Sequence, residues 1–455
     1  MKIAWHWHLH QPPTQLPEIA SQISTDCYRP LLRLLQDNHG LRVSVSISAS
    51  LLAWWEQLGY QDLVAALRDL VGRGQVRIVG SGAFHPILTL LPEAEAGRQI
   101  RLEEAALSSL TETTSGLEGF FSPEMAISDN LLGLLGRLGY QWVLADEVSV
   151  ASSSHFLQVG EYKTKVVVRD RGASLAVAFG HTQTLASFAN LARHYARFRS
   201  QLILVMDGET FGHHWPGALA FLKEVVLSNE FEFVTISEIL ADQTFDHIAG
   251  VTGSTWGTSD ADLATGRFYP KWRLPGNKLH DWQWELTDLA IGAVAAAARS
   301  GASTPNGLAP SGVSSLTPSP LRGDNNYHEP LRIAADSPSP APGDTSRHKL
   351  LQPESQFEEA RNLLDRALHS DQYWWASHNP YWNLEMVGRG GEMLVAAIRA
   401  SRPVPPNDAE AATVCRRGTA SASAPTDAVI RRAEELYDKI MASGKALYGN
   451  KITLS

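Results

Sequence analysis

Apolar and polar positions alternate sharply at the start of the chain. Residues 2–10 read Lys-Ile-Ala-Trp-His-Trp-His-Leu-His. That two-residue period predicts a strand with Trp5, Trp7 and Leu9 on one face and His6, His8 and His10 on the other. Six further apolar runs, over 42–48, 76–80, 119–121, 142–145, 202–206 and 231–235, predict strands. Between them, amphipathic stretches over 28–37, 51–73, 92–110, 130–138 and 216–227 predict helices. Repeated β-then-α units up to about residue 245 imply an α/β fold, a parallel sheet with helices outside. Seven such units suggest a barrel slightly short of the usual eight. Residues 163–180 break the rhythm. The apolar runs 165–168 and 175–179 flank Asp170-Arg171-Gly172-Ala173, and the pattern predicts an inserted β-hairpin.

From residue 279 the pattern turns helical, over 279–299, 354–370, 384–399 and 427–443. These helices are expected to pack as a bundle against the barrel. The division that follows is a barrel over 1–278 and an α-helical C-terminal region over 279–455. Two stretches interrupt the second part. Residues 300–348, and more briefly 402–426, are rich in Pro, Ser, Gly and Ala. They hold too few large apolar residues to offset the entropy of ordering, and flexible surface segments are expected there. No internal repeat is present.

Composition narrows the class. Of 455 residues, 44% are hydrophobic and 19% charged, and the formal net charge is −9. That balance fits a soluble globular enzyme. With no run of Lys or Arg, nucleic acid and anionic membrane surfaces are poor partners. No apolar run reaches the roughly 18 residues that span a bilayer. The chain opens directly onto a strand pattern, so no secretory leader is expected. The two cysteines, Cys27 and Cys415, have no metal-like spacing. A reducing, cytoplasmic location is the default. Trp, at 13, outnumbers Tyr, at 11, which supplies either large core residues or flat faces for sugar rings.

In a parallel barrel the C-terminal strand ends converge. The first strand ends in His8 and His10. The third runs into Gly80-Ser81-Gly82-Ala83-Phe84-His85, and the fourth into Phe121-Ser122-Pro123-Glu124. A later one ends Met206-Asp207-Gly208-Glu209, with His213-His214 beyond. Three imidazoles on one face serve a site more readily than a core, because each buried ring needs a partner. Two carboxylates, Glu124 and Asp207, facing across a cleft are the minimum for glycosidic bond cleavage. Each also has a plainer reading. Glu124 can stabilise a following helix N-terminus. Asp207 can be a turn residue before Gly208, which leaves Glu209 as the acting acid.

Together these strand ends resemble glycoside hydrolase family 57. His8-Leu9-His10-Gln11-Pro12 resembles the first motif of that family. Residues 80–88 stand where the second falls, Gly119–Met125 resembles the third, Met206–Gly212 the fourth and Ser254-Thr255-Trp256-Gly257 the fifth. The resemblance implies an incomplete (β/α)7 barrel with a helical C-terminal region, and a retaining glycosidase acting on α-linked glucans without a metal or other cofactor. It implies Glu124 as nucleophile and Asp207 as general acid/base. His85 stands where some members carry Glu and amylopullulanase-like members His, which leans toward an amylase or amylopullulanase and away from a 4-α-glucanotransferase or branching enzyme. His8, His10, His85, Glu209 and His213 are candidates to hydrogen-bond sugar hydroxyls. Trp256, Trp7, Trp215 and Trp272 are candidates to face sugar rings. Trp374 and Trp375 either close over the cleft or belong to the helix core.

Two rival readings remain. The His6/His8/His10 cluster can hold a divalent metal for a hydrolase, with Asp207, His181 and His213 as further ligands. Alternatively, the chain is an inactive glucan-binding relative.

Overall fold

The computed structural model describes residues 1–111, 117–301, 356–377, 382–402 and 427–448. Apart from residues 300, 301 and 402, the two segments expected to be flexible lie outside the described residues. β1 (Lys2–Leu9) leads through α1 (Pro17–Ile23), a π-helical turn and α2 (Arg29–Asp37) to β2 (Val43–Ile47). α3 (Ala49–Gln57), α4 (Gln61–Gly72), β3 (Val76–Ile78), α5 (Glu93–Leu107), β4 (Gly119–Phe120), α6 (Asp129–Leu138) and β5 (Trp142–Ala145) continue the alternation. Next come β6 (Phe156–Val159), β7 (Lys165–Val168), α7 (Arg171–Ala178), α8 (Leu185–Tyr195) and β8 (Gln201–Asp207). α9 (Ala218–Leu227), β9 (Glu232–Val234), α10 (Ile236–Leu240), β10 (Asp246–Ile248) and α11 (Asp260–Ala264) follow. The helical part holds α12 (Lys278–Gly301), α13 (Gln356–Ala367), α14 (Asp371–Ala376), α15 (Leu384–Ala400) and α16 (Asp427–Tyr448).

One sheet has the order β3-β2-β1-β8, with β9 against the start of β1; the other has the order β10-β6-β7-β5-β4. A parallel bridge from Gly80 to Phe120 joins them on one side. On the other, Asp170 N donates to Ile203 O at 2.8 Å. Among the described residues, β1, β2, β3, β4, β5, β7 and β8 therefore trace a seven-stranded parallel barrel without a continuous ladder between β7 and β8. This is the incomplete (β/α)7 barrel that the sequence suggested.

The inserted antiparallel pair exists, but not where the sequence placed it. Its strands are β6 and β7, with Phe156 opposite Val167 and Leu157 opposite Val166. Residues 171–178 form helix α7 instead of a strand. Ala173 and Val177, one helical turn apart, both bury in the outer core, and so short an apolar run conceals that period. The long amphipathic stretch 51–73 likewise divides into α3 and α4 around Leu58, Gly59 and Tyr60. Gly59 there takes a positive φ of 79°, which favours glycine.

The strict alternation of β1 sets the two sides of the barrel wall. Trp5, Trp7 and Leu9 pack outward against Tyr28, Leu31, Phe211 and Phe221. Ala4 points inward, among Val79, Phe121, Val167, Ile203 and Val205. α12, α13, α15 and α16 bury Leu286, Leu364, Leu394 and Leu436 among themselves. A smaller cluster of Ile87, Ala126, Trp272, Trp284 and Tyr373 joins this bundle to the barrel loops. Ion pairs tie α5 to α13, with Arg98 and Asp365 2.6 Å apart and Arg361 and Glu95 also 2.6 Å apart. No helix among the described residues is long and apolar enough to cross a membrane.

Candidate active site

The inward side of β1 carries the histidines, and β2 meets them with serines. Val43-Ser44-Val45-Ser46-Ile47-Ser48 alternates in step with the neighbouring strand, pairing His6 with Ser44 and His8 with Ser46. Ser46 Oγ lies 3.0 Å from His6 Nε2 and 2.9 Å from His8 Nδ1. His8 Nε2 lies 2.9 Å from His85 Nε2, and His85 Nδ1 lies 2.9 Å from Ser370 Oγ. One direction of donation satisfies this chain best. His6 Nε2–H donates to Ser46, Ser46 to His8 Nδ1, His8 to His85, and His85 to Ser370. His6 Nδ1, which has no partner, is then an acceptor and not a stranded donor. Such a chain requires neutral rings. Burial lowers His6 to about 3 and drives His8 and His85 well below the usual histidine range, with neighbouring histidines adding to the effect on the latter two.

At the mouth, His10 Nδ1 lies 2.9 Å from Ser48 Oγ, and His10 Nε2 lies 3.4 Å from Asp371 Oδ2. Asp371 comes from the first turn of α14, in the helical part. Burial alone pushes its carboxyl up, but hydrogen bonds from His10 and His369 outweigh this and hold it well below the usual carboxylate range. The sequence reading did not find Asp371. Its one local signal is its place beside the Tyr373-Trp374-Trp375 run.

Glu124 follows β4 in a 3-10 turn and has a φ of 59°. His85, after β3, also has a φ of 59°, and Met125 has one of 49°. For residues with a side chain this is a costly conformation, and it concentrates here at two adjacent strand ends. Trp256 fastens the Glu124 turn. Its backbone N–H donates to Glu124 O at 3.0 Å, and its indole Nε1–H donates to Glu124 Oε2 at 2.7 Å. Asp207 ends β8 in register with His8. Burial and the facing charge of Asp207 push Glu124 up to about 8, opposed by the Trp256 hydrogen bond. Burial also raises Asp207, opposed by His214, His10 and Arg169. Two carboxyls both held above their usual range share protons readily, as acid–base work requires.

Several candidate residues sit elsewhere than the sequence suggested. Trp7 is 1% exposed and faces the outer helices, because it shares the outward side of β1 with Trp5. Trp215 packs on Phe221 of α9 against that same outer core. Trp272 is wholly buried between barrel loops and bundle. Trp7 and Trp272 offer no free face to the mouth, and Trp215 is half-buried. Trp374 and Trp375 are half-buried against the clusters that join and fill the bundle. Glu209 is buried beneath the loop. It accepts from Tyr28 Oη, from Gln11 Nε2 at 3.1 Å and from His10 N at 3.3 Å, so it holds the end of β1. Burial and the charge of Asp207 push it up to about 8. His213 is exposed; its neighbour His214, with His10, acts on Asp207.

The metal reading fits the donors poorly. His6 and His8 engage Ser46, and His181 and His213 are exposed. Among the described residues, one group of three donors at the mouth lies close together, His10, His85 and Asp371. The His10 and His85 rings stack, with centroids 4.0 Å apart and planes 17° apart. Stacked imidazoles direct their in-plane lone pairs side by side and do not converge on an ion. Both His85 nitrogens already have partners. In the second group, Glu147, His155 and Asp170, the Arg199 guanidinium occupies His155 and Asp170, and Glu147 accepts from Arg171 N.

The fold and site define a barrel protein with two half-buried carboxyls, Glu124 and Asp207, presented from separate strand ends over a floor of neutral histidines. The glycosyl hydrolase family 57 model matches residues 7–248, and the chain belongs to that family. An α-amylase of Pyrococcus horikoshii is 26% identical over 241 residues, 49% of this chain and 36% of that protein. A 4-α-glucanotransferase of Thermococcus litoralis is 27% identical over 264 residues, 52% of this chain and 38% of that protein. The chain thus spans little more than a third of the length of these curated relatives. A solved family 57 branching enzyme of Thermococcus kodakaraensis superposes with a TM-score of 0.64 at 14% identity, over 100% of this chain and 97% of that one. It shares the fold.

Proposed function

We propose that the chain is a retaining glycosidase acting on α-linked glucans, with the barrel over 1–278 carrying the reacting pair and the helical region over 279–455 completing the site. The observation that carries this reading is the indole of Trp256 donating to Glu124 at 2.7 Å. This fixed donor opposes the upward push of burial and of Asp207 on Glu124, and so favours the ionised carboxylate, the form that attacks. Asp207, raised by burial, holds the proton that goes to the glycosidic oxygen as the bond to the leaving sugar breaks. Glu124 forms the new bond to the anomeric carbon. Asp207 then takes a proton from the acceptor hydroxyl, and that oxygen displaces Glu124. Asp371, whose Oδ2 takes both His10 and His369, presents its other oxygen for sugar hydroxyls beside the stacked His10 and His85 rings. The scarcity of cysteine, two in 455 residues, fits a reducing compartment and favours the cytoplasm.

The acceptor decides between hydrolase and transferase. Relatives of both kinds match the chain, and His85 favours water. Incubation with amylose, pullulan and maltotriose tests this. Shorter sugars alone are expected. Longer oligosaccharides would make the chain a glucanotransferase, and new branch points a branching enzyme. No turnover of any α-glucan would end the reading.

A further inference from the structure

A buried cation faces Asp207 and the Trp256 ring that holds Glu124, and none of the sequence motifs includes it. Arg169, just past β7, is 3% exposed. Its Nε and Nη2 each lie 2.7 Å from Oδ2 of Asp146, which is wholly buried. The other Asp146 oxygen accepts from Arg171 Nη1 at 2.5 Å and Val148 N at 3.1 Å. Arg169 Nη1 donates to Val205 O at 3.1 Å, two residues before Asp207. The guanidinium carbon also lies 5.4 Å from the ring centroid of Trp256, the ring whose N–H holds Glu124. One planar group thus touches the strand of Asp207 and the indole of Glu124, and Asp146 fixes its plane.

We infer that Arg169 is a positioning residue for both carboxylates. It braces the Trp256 ring on Glu124 and sets a fixed positive charge behind Asp207. The inference rests on the reading of Glu124 and Asp207 as the reacting pair. A guanidinium suits the task because it pairs with Asp146 along one edge while its flat face meets an aromatic ring, and an ammonium cannot do both. Burial shields the pair from water, so its field is screened less than that of a surface charge. Other charged or titratable groups face the same carboxyls. His10, His214, Glu209 and Asp371 face Asp207, and Lys271, Asp371 and His85 face Glu124. The effect of Arg169 must therefore be read by difference.

The test compares Arg169→Gln, Arg169→Lys and the unaltered chain, using kcat, KM, the pH profile of kcat/KM on an aryl maltooligosaccharide, and the melting temperature. Without the cation Asp207 keeps its proton longer, so the alkaline limb of the profile moves up. Without the brace Trp256 holds Glu124 less well, so the acid limb also moves up. kcat is expected to fall about ten- to a hundredfold, the usual effect of losing one hydrogen bond to a charged group, with KM little changed. Arg169→Lys restores the alkaline limb, because the charge remains, but not the acid limb or kcat, because the plane is lost. Both limbs unmoved in Arg169→Gln, with kcat lowered only by the folded fraction, would overturn the inference. If that variant fails to fold, Arg169→Lys decides alone, and normal kcat with an unmoved acid limb overturns it. Glu124→Gln and Asp207→Asn run in parallel. If these are active, the reading of the pair has failed. If they are inactive while the Arg169 variants behave normally, only the role of Arg169 has failed.

Discussion

Replacing Trp256 with Phe removes one N–H donor and keeps an aromatic ring over the site. The lost bond is a 2.7 Å contact to a carboxylate. Hydrogen bonds to charged groups contribute about 1.5–3 kcal/mol, and one pKa unit corresponds to about 1.4 kcal/mol. Glu124 should therefore rise by about one to two units. Its direction follows from the site. Burial and Asp207 already push Glu124 up, and the indole is the opposing hydrogen bond. Attack requires the ionised form, so activity rises as pH rises through this pKa. The acid limb of kcat/KM should accordingly move to higher pH in Trp256→Phe, and turnover at a fixed pH on that limb should fall about ten- to a hundredfold. The assay is the full pH profile on an aryl maltooligosaccharide, with a thermal melt to establish folding. An acid limb that stays in place, in a folded variant, would refute the reasoning.

Three further outcomes follow from the same geometry. Glu124→Gln and Asp207→Asn should each lower turnover by orders of magnitude with an unchanged melting temperature, since both changes keep shape and remove one proton-transfer or attacking group; near-normal rates in either would remove that residue from the mechanism. Glu103 is wholly buried, its Oε2 accepts from Ala49 N at 2.8 Å, and burial pushes it up to about 8. The unfolded chain loses this proton near the usual carboxylate pKa, so stability should be full below that pH and decline as pH rises through about 8; Glu103→Gln should flatten the decline, and a melt series from acid to alkaline pH that is identical in both proteins would contradict this. Chelator treatment should leave turnover unchanged, because the His10 and His85 rings stack instead of converging; loss restored by zinc would favour the metal reading.

Much of the barrel was legible because its signals are local. The alternation from Lys2 to His10 shows which side of β1 faces in, and the carboxylates end the strands that periodicity marks. Ser46 and Ser48 were missed although Val43-Ser44-Val45-Ser46-Ile47-Ser48 alternates like the histidine strand, because only pairing of β1 with β2 gives that pattern meaning. What local pattern lacks is distance in sequence. His10 and Asp371 meet across 361 positions, and the Arg169–Trp256 contact joins two loops. The tryptophans misled for a related reason. Trp7 and Trp272 have the same flat rings as Trp256, and only burial separates a core ring from one at the mouth. The hairpin lies elsewhere than expected because Lys165–Val168 pairs with Phe156–Val159 upstream, a partner that local pattern does not mark.

The central claim is that Glu124 forms a bond to the anomeric carbon. Trapping tests it most directly. The protein is incubated with a fluorinated maltosyl fluoride, which slows release of the intermediate more than its formation, and then digested and mapped by mass spectrometry. The account predicts one added glycosyl unit on the peptide containing Glu124, absent from Glu124→Gln. A label on another carboxylate, or unlabelled protein that releases product of inverted anomeric configuration, would contradict it.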